Sequence, residues 1–283
     1  MNRRTFLLAL AGTPALAALI AACGDNSTAS SSFSFPEVPD EVVLRIGYEG
    51  GFTAPGTSFV SMPTLLVSGD GRVFTPGAMT EQYPGPLLAP IVEQSITKQG
   101  IVRVLKLADD AGLLGAIPDY ALPPGVGIAD APDTVVTITV NGTTYEHRAN
   151  ALGMDQPDGG SSTPARDNLA KFVTLVTGGA DGIGLSKVAG AGNVGEPKAF
   201  VPEQYRFQAM VVDPTQFGDP APTIVDWPSD TGVVLADSAQ CAKVAAAKVD
   251  ALFTTATQLT FFKEGEVVYQ LAVIGVLPGD ALC

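Results

Sequence analysis

Histidine and tryptophan each occur once in 283 residues, and cysteine three times. A structural zinc site takes about four imidazole or thiolate ligands and a catalytic one about three, so most transition-metal sites are excluded and no metal or cofactor is expected. Basic residues are also scarce: 16 Lys and Arg face 29 Asp and Glu, a formal net charge of −13. Such a chain lacks the positive surface that gathers phosphates, so nucleic acid is not an expected partner. A long unbroken apolar run is missing too. The apolar stretch over 6–22 is interrupted by Gly12, Thr13 and Pro14, and helix propensity drops by about 1 kcal/mol at glycine and about 3 kcal/mol at proline, which disfavours a spanning helix. What is present is 46% hydrophobic content, enough to bury the core of one large domain or two ordinary ones.

Residues 2–23 begin with Arg3 and Arg4, continue through an apolar stretch and end in Ile20, Ala21, Ala22 and Cys23. A charged start, an apolar middle and a small-residue processing site together read as an export signal outside the fold. Arg3 and Arg4, followed by Thr5, Phe6 and Leu7, resemble the twin-arginine export signal, whose usual pattern has Ser or Thr before the pair and Lys at the end. Asn2 and Leu8 stand there instead. Two arginines before an apolar run also serve the general secretory route, so both routes stay open. Ile20, Ala21, Ala22 and Cys23 resemble the bacterial lipobox. That resemblance implies that 1–22 is removed, that the Cys23 thiol carries diacylglycerol, and that the chain meets the membrane only through its lipid. Buried acyl chains contribute about 0.8 kcal/mol per methylene, so multiple chains give a stable anchor. Gly24 replaces the Asp that resembles an inner-membrane retention signal, which leaves the leaflet open in a two-membrane host. The expected location is the cell envelope, on the outer face of the cytoplasmic membrane or on the outer membrane.

Loss of 1–22 removes Arg3 and Arg4 but no acid, so the net charge passes from −13 to −15. Anionic headgroups repel such a body, which favours a domain held off the surface. A tether over 23–39 fits this, because residues 25–32 are mostly Ser and other small polar side chains with little apolar surface to offset ordering entropy. With Cys23 lipidated, Cys241 and Cys283 remain, and an even pair in an exported chain reads as a disulfide.

Hydrophobic patterning predicts an α+β fold of mostly antiparallel sheets with a few packed helices, in two similar-sized halves over 40–154 and 163–283 joined by a linker over 155–162. Residues 42–48 are β-rich, and 64–68 meets 72–74 across Gly69, Asp70 and Gly71 as a hairpin. A strand over 89–96 leads to Thr97, a helix cap. The helix runs to about Leu114, with Ile101, Leu105 and Ala108 on one stripe and Gly112 or Gly115 to end it. Asn141 and Gly142 sit between 134–140 and 143–149, the pair suited to a type I′ turn. Thr163 and Pro164 start a second helix bearing Leu169, Phe172, Val173 and Val176. Beyond it the pattern gives a strand over 205–212, a helix over 238–256, and strands over 258–262 and 267–276. Helix followed by hairpin thus occurs twice.

Few residues point to chemistry. The segment from Thr177 through Gly178, Gly179, Ala180, Asp181, Gly182 and Ile183 to Gly184 resembles the glycine-rich cofactor loop of short-chain dehydrogenases, in which glycines let a pyrophosphate approach the backbone. Against this, the residues before it have helical spacing, so Gly178 reads as a helix cap. The Tyr-x-x-x-Lys pair of such enzymes is also missing downstream. His147 would have to serve as base in any Ser-His-acid site, but no Gly-x-Ser-x-Gly elbow accompanies it, and strand alternation puts it with Tyr145 and Ala149 as a structural residue. Asp109 with Asp110, Asp130 with Asp133, and Asp155 with Asp158 read as solvated acids, there being no alternating calcium loop. Trp227 reads as a loop-docking residue whose indole N–H finds a carbonyl. No catalytic residue is therefore assigned.

Tyr48, Glu49, Gly50, Gly51 and Phe52, with the helix ending Ala111, Gly112 and Leu113, the hairpin over 133–149 and the helix from Thr163, resemble the layout of emfourin-type inhibitors of thermolysin-like metalloproteases. The likeness covers about residues 42–178. It implies a protein partner held by Gly50, Gly51 and Phe52, while the Pro-rich loops and the second half depart from it. Three functions are therefore expected in order: a non-enzymatic recognition module for a protein or small ligand, an extracellular protease inhibitor, and a hydrolase working through carboxylates drawn from distant segments.

Overall fold

The computed structural model describes residues 33–53, 56–122, 127–154, 162–178, 184–280 and 283. The export signal, its lipobox and most of the linker over 155–162 lie outside these. The fold is α+β, as the patterning predicts. Its strands are β1 (Val42–Glu49), β2 (Leu65–Ser68), β3 (Arg72–Pro76), β4 (Ile91–Ser95), β5 (Asp133–Val140), β6 (Thr143–Asn150), β7 (Lys198–Ala199), β8 (Gln204–Val211), β9 (Thr223–Asp226), β10 (Ala242–Ala245), β11 (Thr260–Glu264) and β12 (Val267–Gly275). The helices are α1 (Lys98–Asp110), α2 (Pro164–Thr177), α3 (Gly184–Ala189) and α4 (Ala246–Phe253).

Seven strands form one sheet in the order β6-β5-β1-β2-β3-β4-β7, and five form another in the order β10-β8-β12-β11-β9. Every pairing is antiparallel except β11 with β9. Residues two apart on a strand share a face. Leu44 and Ile46 therefore look one way with Val136 and Ile138, and there α1, α2 and α3 cover them through Ile101, Leu105, Leu169, Phe172 and Leu185. On the opposite face Leu66, Phe74 and Ile91, from β2, β3 and β4, pack against Ile274 and Leu277 of the five-stranded side. The second sheet turns its other face to α4 and Trp227. It thus covers only part of the larger sheet, and β1, β5 and β6 keep an open face.

The caps explain where the helices stop and start. The Thr97 hydroxyl accepts from the Gly100 N–H at 3.1 Å, and α1 ends where Gly112 takes φ 76° and the Leu113 N–H returns to the Ala108 carbonyl. Thr163 caps α2 with Pro164 in its first turn, and Gly178 closes it at φ 87°. Asn141 and Gly142 take φ 52° and 72°, as a type I′ turn requires. Cys241 and Cys283 form the expected disulfide, with Cα atoms 5.2 Å apart.

Several expectations need correction. The helix over 238–256 shrinks to α4, because Ala242, Lys243, Val244 and Ala245 pair with Phe207, Arg206, Tyr205 and Gln204. There a strand ladder overrides the helical preference of an alanine-rich run. The tether ends earlier than residue 39: Phe33 and Phe35 pack on the larger core, and Lys98 pairs with Glu37 at 2.6 Å. The linker over 155–162 does not divide the sheets either. α2 and α3 cover the larger sheet, β7 joins its edge, and residues 33–283 form one compact unit. Helix followed by hairpin does recur (α1 with β5 and β6, α4 with β11 and β12), but the hairpin ends the first sheet and lies inside the second.

Candidate functional site

The uncovered face of the larger sheet becomes a groove where the chain leaves β1. Arg45 and Gly47 of β1 and Val135 of β5 form its floor, and its volume is about 690 Å³. Beyond Tyr48 and Glu49 the chain turns through Gly50 and Gly51 at φ 74° and 79°. A Cβ on Gly51 would come within 3.1 Å of the Asp130 carbonyl, so both backbone and space call for glycine. This turn throws Phe52 outward with 90% of its surface exposed, and Tyr48 is half exposed beside it.

The facing wall is the segment over 56–63, which crosses the second sheet at Met210 and Ala272. Its Phe59 and Val60 N–H groups donate to the Gly56 carbonyl. Arg206 of β8 holds the segment down. Its guanidinium donates to the Phe59 carbonyl at 2.7 Å, lies 4.6 Å from the Phe59 ring centroid and pairs with Asp280 at 3.0 Å. Asp280 in turn accepts from the Leu277 N–H at 3.0 Å. The rim is acidic but partly neutralised: Arg148 meets Glu49 at 2.7 Å and Asp133 at 3.3 Å, and Glu49 first among these acids holds its guanidinium in the charged form.

Arg45 differs from these cations. It is half-buried in β1, and among the described residues no carboxylate or carbonyl accepts from its guanidinium. It also lines a second hollow of about 380 Å³, bounded by Val42, Thr137, Thr139 and Gly279, so Arg45 borders both hollows. The arrangement is suited to holding a ligand that brings an acceptor to Arg45 and apolar surface to Phe52 and Phe59.

The other residues singled out by sequence are structural where they are described. His147 is fully buried; its Nε2–H donates to the Leu113 carbonyl at 2.9 Å, so Nδ1 accepts from the Tyr120 hydroxyl at 2.8 Å. Burial pushes its pKa down, although the Leu113 carbonyl opposes this. Both ring nitrogens are committed inside the fold. Trp227 donates its indole N–H to the Val233 carbonyl at 2.9 Å within the aromatic core. Asp110 pairs with Lys106, and Asp133 also accepts from Asn150. In the glycine-rich segment, α2 precedes Gly178 where a cofactor fold needs a strand; residues 179–183, like Asp155 and Asp158, lie outside the described residues. Among the described residues, no three His, Cys, Asp or Glu side chains gather as metal ligands.

The structure places Gly50, Gly51 and Phe52, the partner contact expected from sequence, beside Arg45, Phe59, Arg206 and Asp280, which sequence reasoning did not single out. A signal existed for Arg45, the lone charge within an otherwise uncharged β-rich run. Arg166 was missed as well. It shares the buried stripe of Leu169 and Val173 at helical spacing, is 1% exposed, and donates to the carbonyls of Tyr120, Asn150 and Ala151. Scans against protein-family models, curated proteins and solved structures find no match to this chain.

Proposed function

We propose that this chain is an exported, lipid-anchored envelope protein whose folded body is a recognition module, and that its partner binds in the groove beside Gly50, Gly51 and Phe52. The observation that carries the reading is the groove itself, a face of the larger sheet that the second sheet leaves open, with an arginine at its floor that has no ion-pair partner among the described residues and the exposed Phe52 ring at its mouth. Commitment of His147 to the interior leaves it unavailable as the base of a Ser-His-acid site.

The position of Ser34, close to the first described residue, suits an anchor at that end of the fold. The Ser34 N–H donates to Asn141 Oδ1 at 2.9 Å, and the Asn141 N–H donates to the Ser34 carbonyl at 2.7 Å. The described part of the chain therefore begins beside the β5–β6 turn, whereas Glu49 pairs with Asp133 at the far end of β5. At about 3.4 Å per residue, the two ends of this strand lie about 24 Å apart. Phe52 and the groove mouth then face away from the lipid, toward partners in the surrounding space. No helix among the described residues is long and apolar enough to cross a membrane.

A panel of peptides, glycans and amphiphiles tested by thermal shift on the full chain checks this reading. Ser61→Trp, which fills the groove from an exposed position, is the control. At least one class should stabilise the wild type but not the Trp variant. If every class shifts both proteins equally, or neither, the reading fails. Palmitate labelling that persists in Cys23→Ala would remove the anchor.

The exposure of Phe52 on a left-handed double-glycine turn favours a second reading, that of a protease inhibitor. Stoichiometric slowing of a thermolysin-like metalloprotease, lost in Phe52→Ala, would support it. Unimpeded proteolysis at equimolar protein would refute it.

A further inference from the structure

Resting on the groove as the binding site, we infer that its ligand is an extended peptide segment carrying one carboxylate, received by Arg45, with an aromatic or aliphatic side chain two or four residues away. Guanidinium stays charged at all relevant pH and presents its donors as a planar fork, a shape that a carboxylate matches with two parallel hydrogen bonds. Arg206, the other arginine lining the groove, already spends its donors on Asp280 and the Phe59 carbonyl. Arg45 is thus the groove's open cation.

The shape selects an extended chain. Arg45 borders both hollows, which together lie along β1 from Val42 to Tyr48, about 20 Å at 3.3 Å per residue. That length accommodates about six residues of extended peptide. Arg45, Gly47 and Glu49 share the groove face of β1, so a peptide side chain two or four residues from the carboxylate, about 7 or 13 Å along the chain, returns to the groove on the side of Phe52 and Phe59. Thr137 and Thr139, half-buried along the second hollow, offer hydroxyls to a peptide backbone.

Charge limits the ligand to a single acid near its centre. Glu41 lines one end of the trough and Glu49 the other, and the whole chain is strongly acidic. A polyanion meets net repulsion, whereas one carboxylate at Arg45 does not.

Two decapeptide mixtures test this. Each has random uncharged flanks and is passed over immobilised full chain, one with Glu fixed at the centre and the other with Gln. The Glu mixture should be retained about tenfold more than the Gln mixture, with Phe, Tyr or Leu enriched two or four positions from Glu. Arg45→Gln, with an unchanged thermal midpoint, should retain both mixtures equally, and Arg45→Lys should keep part of the preference. Equal retention on the wild type, a Glu preference that survives in Arg45→Gln, or retention of phosphatidylglycerol vesicles in place of peptide overturns the inference. If both mixtures bind equally and Ser61→Trp abolishes binding, the carboxylate assignment fails while the groove reading stands. If Ser61→Trp leaves peptide retention unchanged, the groove reading fails too.

Discussion

Replacing Asp280 with Asn removes the charge that neutralises Arg206 beneath the groove wall. The two side chains are only 15% and 10% exposed, so solvent screens their interaction weakly. Taking one partner from a buried pair costs about 3–5 kcal/mol when the other charge is stranded. Arg206 is not fully stranded, because the Phe59 carbonyl at 2.7 Å and the Phe59 ring still face it. The expected loss is therefore smaller, about 2–3 kcal/mol. With a urea slope of about 3 kcal/mol/M for a chain of this size, the unfolding midpoint should fall by about 0.7–1 M. The loss should not be uniform through the fold. Arg206 holds the segment over 56–63, so hydrogen exchange at the Phe59 and Val60 amides should speed up more than at Ile46 or Val136 in the sheet core. A double-mutant cycle with Arg206→Met should return a coupling of about 2 kcal/mol. A midpoint within about 0.2 M of wild type, or additive single losses, would refute the pair as the fastening of the wall.

Three further perturbations read other parts of the molecule. His147 has a depressed pKa in the folded state, so the unfolded chain takes up its proton first. Stability should be flat above about pH 6.5 and fall below it by up to about 1.4 kcal/mol per pH unit, until the folded-state pKa is reached. His147→Gln should flatten that part of a chemical-denaturation profile against pH, and an unchanged slope would contradict the assignment. Reducing the Cys241–Cys283 bond opens a loop with a sequence separation of 42, worth about 4 kcal/mol in the chain-entropy picture. Denaturation with and without reductant should show a loss of that order. Arg166→Met should cost about 2–4 kcal/mol, because three carbonyls lose a charged donor while relief from guanidinium desolvation offsets part of the loss. A change below 0.5 kcal/mol in calorimetry would show that α2 is held without it.

Local chemistry was readable wherever a residue acts on its own neighbours. Thr97, Thr163 with Pro164, Gly178, and Asn141 with Gly142 each satisfy or bend the backbone within a few residues, and each is found in the expected role. The ladder that turns 242–245 into strand comes from β8, more than thirty residues earlier, and no local pattern reports it. The groove is still less local. Arg206 reaches Phe59 across 147 residues and Asp280 across 74, so its wall joins three distant segments. Periodicity tells which face of a strand is apolar, but not how far a second sheet extends across it. For that reason Leu66 and Phe74 are covered while Arg45 remains open.

The account rests on ligand capture at Arg45, and amide chemical-shift mapping with the Glu-centred decapeptides tests it most directly. Shifts should cluster at 45–52 and 58–61, and vanish in Arg45→Gln. Shifts centred on the Asn141 turn or on α4, or the same pattern persisting in Arg45→Gln, would contradict it.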